Sequence, residues 1–240
     1  METNPLIDKL FAVGAHFGYS PSRRHPSVSR YIFGQKGGAE LFDLEQTAAL
    51  LEKALEFIKS MAAQRKVVLF VGGKAEARQA LQRTAQMVNQ PYSAGRWIGG
   101  SLTNWQEIKK RLARLQELGD MREKGELAKF TKMERLLIDR EITDLENMFG
   151  GLRGMQKAPD ALVVIDPKAE SGAVAEAKQL NIPVVALLNS DCNQEGITYP
   201  IPGNDASREA IQFVLDEIGK TYLNNLAPAP APSAAAPEVK

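Results

Sequence analysis

The sequence predicts a doubly wound α/β domain carrying a helical insertion, and three observations lead there. Residues 67–71, 161–165 and 184–188 are short runs rich in Val, Ile and Leu that end in small or polar residues, the pattern of strands buried on both faces. Amphipathic segments at 75–88 and 172–180 fall between and beside them, and strand–helix alternation implies a parallel sheet with helices on both sides. Over 104–149 the strand signal vanishes and two apolar stripes at helical spacing replace it.

Each element has its own justification. Residues 44–63 place Leu51, Leu55, Ile58 and Ala62 on one helical face. The strand at 67–71 runs into Gly72-Gly73, where a turn opens the helix at 75–88. In the insertion the stripes are Trp105, Ile108, Leu112 and Leu115, then Ile138, Ile142, Leu145 and Phe149. A polar stretch with Gly119 and Gly125 separates them, and Thr131-Lys132-Met133-Glu134 has the form of a capping box that starts the second helix. The narrow stripes indicate a protruding antiparallel hairpin of coiled-coil type. Its 10 basic and 10 acidic residues suit either a solvated, salt-bridged hairpin or an arm that reaches another molecule. The strand at 161–165 ends at Asp166; the next follows Ile182-Pro183 and ends at Asn189. A last helix at 206–223 would be capped by Asn204 or Asp205. This divides the chain into 1–103 (first part of the α/β domain, with a basic loop), 104–150 (hairpin), 151–226 (second part) and 227–240. The final segment is almost wholly Ala and Pro, with Pro228, Pro230, Pro232 and Pro237 opposing helix and sheet alike, and is expected to be disordered.

Composition narrows the function. With 240 residues, 44% of them hydrophobic, the chain can build a sizeable core. No stretch approaches the roughly 20 apolar residues of a membrane span, and Glu2 and Asp8 precede no signal-peptide core, so a cytosolic protein without a membrane partner is expected. Cys192 alone cannot form an internal disulfide, and with only His16 and His25 beside it no finger-type zinc cluster can be written. The net charge of +1 conceals an asymmetry. Residues 1–103 hold 13 basic against 8 acidic, whereas 159–240 hold 5 against 11. One basic end suits a protein that lays a face on a polyanion.

Enzyme chemistry finds little footing. Gly72-Gly73-Lys74 opens a helix after a strand as phosphate loops do, but it lacks the four-residue spacer and the Ser or Thr after the lysine, so it reads as a tight turn. Asp166 stands where α/β enzymes place a metal- or ribose-binding carboxylate, and Asp166-Pro167 is equally a turn initiator, the reading preferred here. Neither histidine has an obvious acid beside it, and Cys192 reads as an inert loop thiol. An α/β nucleotide- or sugar-phosphate-binding enzyme using Lys74 and Asp166 stands as the alternative.

Two loops carry cations and rings outside any hydrophobic period. One runs His16-Phe17-Gly18-Tyr19-Ser20-Pro21-Ser22-Arg23-Arg24-His25-Pro26; the other runs Arg96-Trp97-Ile98-Gly99-Gly100-Ser101-Leu102-Thr103-Asn104-Trp105. Arginine pairs bidentately with phosphate, aromatic rings stack on unpaired bases, and adjacent glycines allow close backbone approach. For Trp97 and Trp105 a core-anchoring role is the competing reading.

These loops, with Gly14-Ala15-His16-Phe17-Gly18, Tyr31-Ile32-Phe33-Gly34, Leu69-Phe70-Val71-Gly72, Pro159-Asp160-Ala161-Leu162, Val164-Ile165-Asp166 and Ile201-Pro202-Gly203-Asn204-Asp205, closely resemble the family of ribosomal small-subunit protein number two. The stretches occur in the family's order and span about residues 12–223. The resemblance implies a flavodoxin-like sheet with an inserted coiled-coil hairpin, no enzymatic activity, no cofactor, and a structural role in the small ribosomal subunit. It implies binding to small-subunit rRNA, contact with neighbouring ribosomal proteins, and a part in holding ribosomal protein number one where bacteria have it. The rRNA contacts carried over are His16, Arg23, Arg24, Arg96 and Asn104. Two departures stand out: Tyr19 where the family usually has a second histidine, and Arg24-His25 where it usually has a tryptophan-asparagine pair. Some members have been associated with a metal. A site built from the N-terminal histidines with loop aspartates such as Asp191 and Asp205 loses a ligand here, which leaves the metal unassigned and counts against zinc.

Overall fold

The structure is a computed structural model and describes residues 4–228. Helix α1 (Pro5–Ala12) leads through two short 3-10 turns into a hairpin of β1 (Ile32–Lys36) and β2 (Ala39–Phe42). Then come α2 (Leu44–Ala63), β3 (Val68–Val71), α3 (Ala75–Met87) and β4 (Tyr92–Ser93). The long helices α4 (Trp105–Glu123) and α5 (Lys132–Phe149) follow. The chain closes with β5 (Ala161–Ile165), α6 (Ser171–Gln179), β6 (Val184–Leu188), β7 (Tyr199–Pro202) and α7 (Arg208–Asn224).

The main sheet has the order β4-β3-β5-β6-β7, every pair parallel. Counted within the sheet this is 2-1-3-4-5, the flavodoxin-like arrangement, whose chain reversal opens a crevice at the carboxyl ends of the strands. Strand alternation explains why β3, β5 and β6 are apolar throughout. Val68, Phe70, Val163 and Ile165 enter a layer with α2, α3 and α7, whereas Leu69, Val71, Leu162 and Val164 enter a layer with α6 and the helical hairpin.

The hairpin follows its stripes. Ile108, Leu115, Leu118, Ile142, Leu145 and Phe149 are buried, and Trp105, Leu112 and Ile138 pack partly buried against them. Gly125, at φ 71°, makes the turn between the arms, and the Thr131–Glu134 capping box forms with both reciprocal bonds. Arg114 bridges the arms to Glu141 at 3.1 Å. At the base, a Cβ on Gly151 would collide with the Tyr92 carbonyl oxygen, so only glycine lets the returning chain pass the edge strand β4.

Two features differ from the sequence pattern. Helix α7 is capped by Ser207, whose side chain accepts from the Ala210 amide; Asn204 instead accepts from Ala206 and Ser207 and shapes the preceding turn. Strand β7 has no strand signal in the sequence, because Pro200 and Pro202 lack N–H donors; it is tolerated because β7 is an edge strand, paired only with β6. The expectation of a disordered tail falls mostly on residues 229–240, outside the described residues. Ala227, the first residue of that tail, departs from the expectation: Arg65 holds it through two bonds to its carbonyl oxygen.

Candidate nucleic-acid interface

All five strands are parallel, so the segments after β3, β4, β5, β6 and β7 emerge at one edge of the sheet. The loop at 16–25 is tied to that edge. Tyr19 donates its amide to Asn189 Oδ1 (3.2 Å) and Ser190 Oγ (3.0 Å), and His25 donates its amide to the Ser190 carbonyl (2.8 Å). Residues 94–104 leave the same edge after β4. Between the two loops stands the N-terminus of α6: His25 shares a cleft with Pro167 and Ser171, and Trp97 packs over Gly172. The two loops marked out by the sequence thus flank one helix end.

Arg23, Arg24, Arg96 and Asn104 are exposed, and His16 is half-buried. Arg23 lies over the Tyr19 ring, 5.4 Å from its centroid. Arg24 is less free than its loop position suggests: it pairs at 3.1 Å with Glu40, a carboxylate only 2% exposed whose second oxygen has no partner. His16 stacks on Phe11 at 4.7 Å and lies 4.1 Å from Phe17. Burial and then the Lys36 charge lower its pKa, so near neutral pH it offers a ring rather than a cation. Phe11, Phe17 and Phe33 leave much of their rings exposed around it.

The glycine-rich loop is organised by a residue that no motif in the sequence connects to it. Glu176, on α6, accepts through Oε1 from Trp97 Nε1 (3.0 Å) and the Gly100 amide (2.8 Å). Through Oε2 it accepts from the Leu102 amide (2.9 Å) and from the Thr103 amide and hydroxyl (3.0 and 3.1 Å). Burial opposes its ionisation, but these donors outweigh burial and hold its carboxyl below the ordinary value. Both tryptophans are partly buried against the hairpin-side core, Trp105 also donating to the Gln156 carbonyl, so each anchors its loop. Arg96 faces a cleft of about 460 Å³ with Arg78, Gln82 and Asn147; no pattern in the sequence marks Arg78, which lies on α3 and only meets Arg96 in the fold.

The enzyme alternative fails at its own residues. The Gly73 amide donates to Glu170 at 2.8 Å, so the would-be phosphate cradle already holds a carboxylate. Lys74 turns inward to Asp166 and Asp205, 2.9 Å from each. Asp166 makes the expected turn, its Oδ1 accepting from the Lys168 and Ala169 amides at 3.2 Å. Cys192 is buried and burial, with nearby carboxylates, pushes its thiol up, keeping it protonated.

A metal site from the histidines and loop aspartates does not assemble either. Asp191 is engaged by Lys168 at 2.7 Å, and His16 lies in the aromatic stack. Among the described residues the one cluster of metal-capable groups is Asp166, Cys192 and Asp205, without either histidine. Two carboxylates already bonded to one ammonium, with no imidazole in the cluster, do not fit a divalent cation while Lys74 is in place. Among the described residues, no helix is long and apolar enough to cross a membrane.

Comparison with known proteins agrees with this architecture. Residues 10–225 match the family described as Ribosomal protein S2. Proteins named small ribosomal subunit protein uS2 are similar over most of this chain: that of Nocardia farcinica is 44% identical over 199 residues, covering 83% of this chain and 70% of its own. That of Dictyoglomus thermophilum is 38% identical over 218 residues, 91% and 89% of the two chains, and that of Helicobacter hepaticus is 41% identical over 214 residues, 89% and 81%. With its five-stranded parallel sheet and inserted hairpin, the chain belongs to the ribosomal protein S2 family, structural constituents of the small ribosomal subunit.

Proposed function

We propose that the chain binds small-subunit rRNA through the loops at 16–25 and 96–104, with Arg23, Arg24 and Arg96 on phosphates, His16 stacking and Asn104 hydrogen-bonding. The observation that carries this reading is that both loops lie at one sheet edge with Arg23 and Arg96 exposed while their other groups are pinned to the fold, Trp97 by Glu176 and Tyr19 by Asn189 and Ser190. Phosphate contacts of this kind position a protein on RNA, and pre-ordered loops reduce the entropy cost of binding. Neighbouring ribosomal proteins, including ribosomal protein number one where the host has it, meet the remaining surface.

The test follows the full-length protein across a sucrose gradient of cell lysate, comparing wild type with Arg23→Ala/Arg96→Ala. The double variant is expected to leave the small-subunit fractions as salt rises, each lost phosphate contact weakening binding and flattening its salt dependence. Unchanged occupancy at elevated salt refutes the assignment. Arg24 needs its own control, since Arg24→Ala strands the buried Glu40; the pair Arg24→Ala/Glu40→Gln separates lost RNA contact from lost stability.

A further inference from the structure

The end of β3 meets the ends of β5 and β7 in a cluster whose hydrogen-bonding capacity is accounted for atom by atom. Lys74 Nζ lies 2.9 Å from Asp166 Oδ2, 2.9 Å from Asp205 Oδ2 and 3.3 Å from Tyr19 Oη. Asp205 Oδ1 accepts from Asn189 Nδ2 at 2.8 Å, and Asp166 Oδ1 takes two backbone amides. All four carboxylate oxygens therefore have donors, although Asp205 is fully buried and Asp166 nearly so. A divalent ion would have to evict an ammonium that satisfies two carboxylates at once, and it would find no neutral imidazole to complete its shell.

We infer that Lys74 is the resident cation of this cluster, occupying with its ammonium the place a divalent ion would take between Asp166 and Asp205, and that it makes the fold independent of zinc. This role of Lys74 is independent of the rRNA contacts proposed above, because it lies in the folding of the sheet edge. It also gives Lys74 a reach beyond the cluster. Its ammonium lies 5.8 Å from the centroid of the Tyr19 ring, and the Arg23 guanidinium lies 5.4 Å from the same centroid. One internal charge thus joins three strand ends to the loop that carries Arg23 and Arg24.

The experiment uses the full-length protein expressed in zinc-supplemented medium. Metal analysis of the wild type is expected to find zinc far short of one ion per chain, and its melting temperature to be unmoved by EDTA or added zinc chloride. Lys74→Met, which leaves two buried carboxylates without their cation, is expected to melt lower by roughly 10 °C and to recover several degrees when zinc chloride is added. Stoichiometric zinc in the wild type, or a wild type that EDTA destabilises, overturns the inference. So does a folded Lys74→Met protein that melts with the wild type, since its carboxylates would then not need a cation. If Lys74→Met does not fold, the wild-type zinc content and EDTA response decide alone.

Discussion

Replacing Glu176 with glutamine should loosen the glycine-rich loop without removing any apolar contact. The carboxylate receives five hydrogen bonds, two on one oxygen and three on the other. Glutamine keeps one oxygen and turns an NH2 group toward the remaining donors, so two or three bonds become donor–donor clashes. Bonds to a charged acceptor contribute about 1.5–3 kcal/mol each in isolation, but these share one half-buried group and are not additive, so a total loss of about 2–4 kcal/mol is expected. For a domain of this size that lowers the melting temperature by roughly 4–16 °C. Thermal unfolding followed by circular dichroism measures the global effect, and tryptic cleavage after Arg96 reports the local one, because the loop must open to enter the protease. The effect has a defined pH dependence. The folded pKa of Glu176 lies below its ordinary value of 4.5, so its stabilisation is fully present above pH 4.5 and fades as pH falls through the folded value. Wild type and variant should therefore converge under acid. A variant that melts within about 1 °C of wild type, with unchanged cleavage, would refute the claim that Glu176 orders the loop.

Other expectations rest on separate features. Gly151→Ala forces a methyl group into the Tyr92 carbonyl and should destabilise by at least about 2 kcal/mol in urea unfolding, with an unchanged melt as the contrary result. Leu115→Ala, in the stripe between the hairpin arms, should cost about 2–4 kcal/mol; a loss under about 1 kcal/mol would mean that the arms do not depend on that stripe. Arg24→Ala alone should destabilise the isolated protein, and Glu40→Gln beside it should restore most of the loss, as a double-mutant cycle would measure. Truncation after Pro228 should leave both melting and incorporation into the small subunit unchanged, since the anchoring bonds from Arg65 end at Ala227.

The parts of the fold legible in the sequence are those whose signal is local. Strands β3, β5 and β6 read clearly because both of their faces are buried, and the hairpin because its stripes repeat at helical spacing. The β1–β2 hairpin is not legible, since β1 is mostly exposed and carries no apolar alternation. Strand β7 hides behind two prolines that only an edge position allows. The binding loops are recognisable by their arginines, rings and glycines, yet what holds them is not. Glu176 is more than 70 residues from the loop it clamps, and Glu40 looks like any surface carboxylate until the fold buries it under Arg24. Lys74 reads in the sequence as part of a turn, and only the meeting of β3, β5 and β7 gives it two carboxylates to neutralise.

The position of the hairpin in the chain bears on how quickly this protein can fold. Strands β3 and β5 are adjacent in the sheet, yet Val68 pairs with Ala161 across a long intervening segment. Closing so large a loop is entropically slow, as for any parallel pairing of distant segments. The two helical arms meet through contacts local to 105–149, so they can zip up first and bring their own ends together. A preformed hairpin would roughly halve the effective loop, easing closure by about 0.6 kcal/mol, or nearly threefold in rate if closure limits folding. The insertion would then act as a kinetic shortcut between the two halves of the sheet it interrupts.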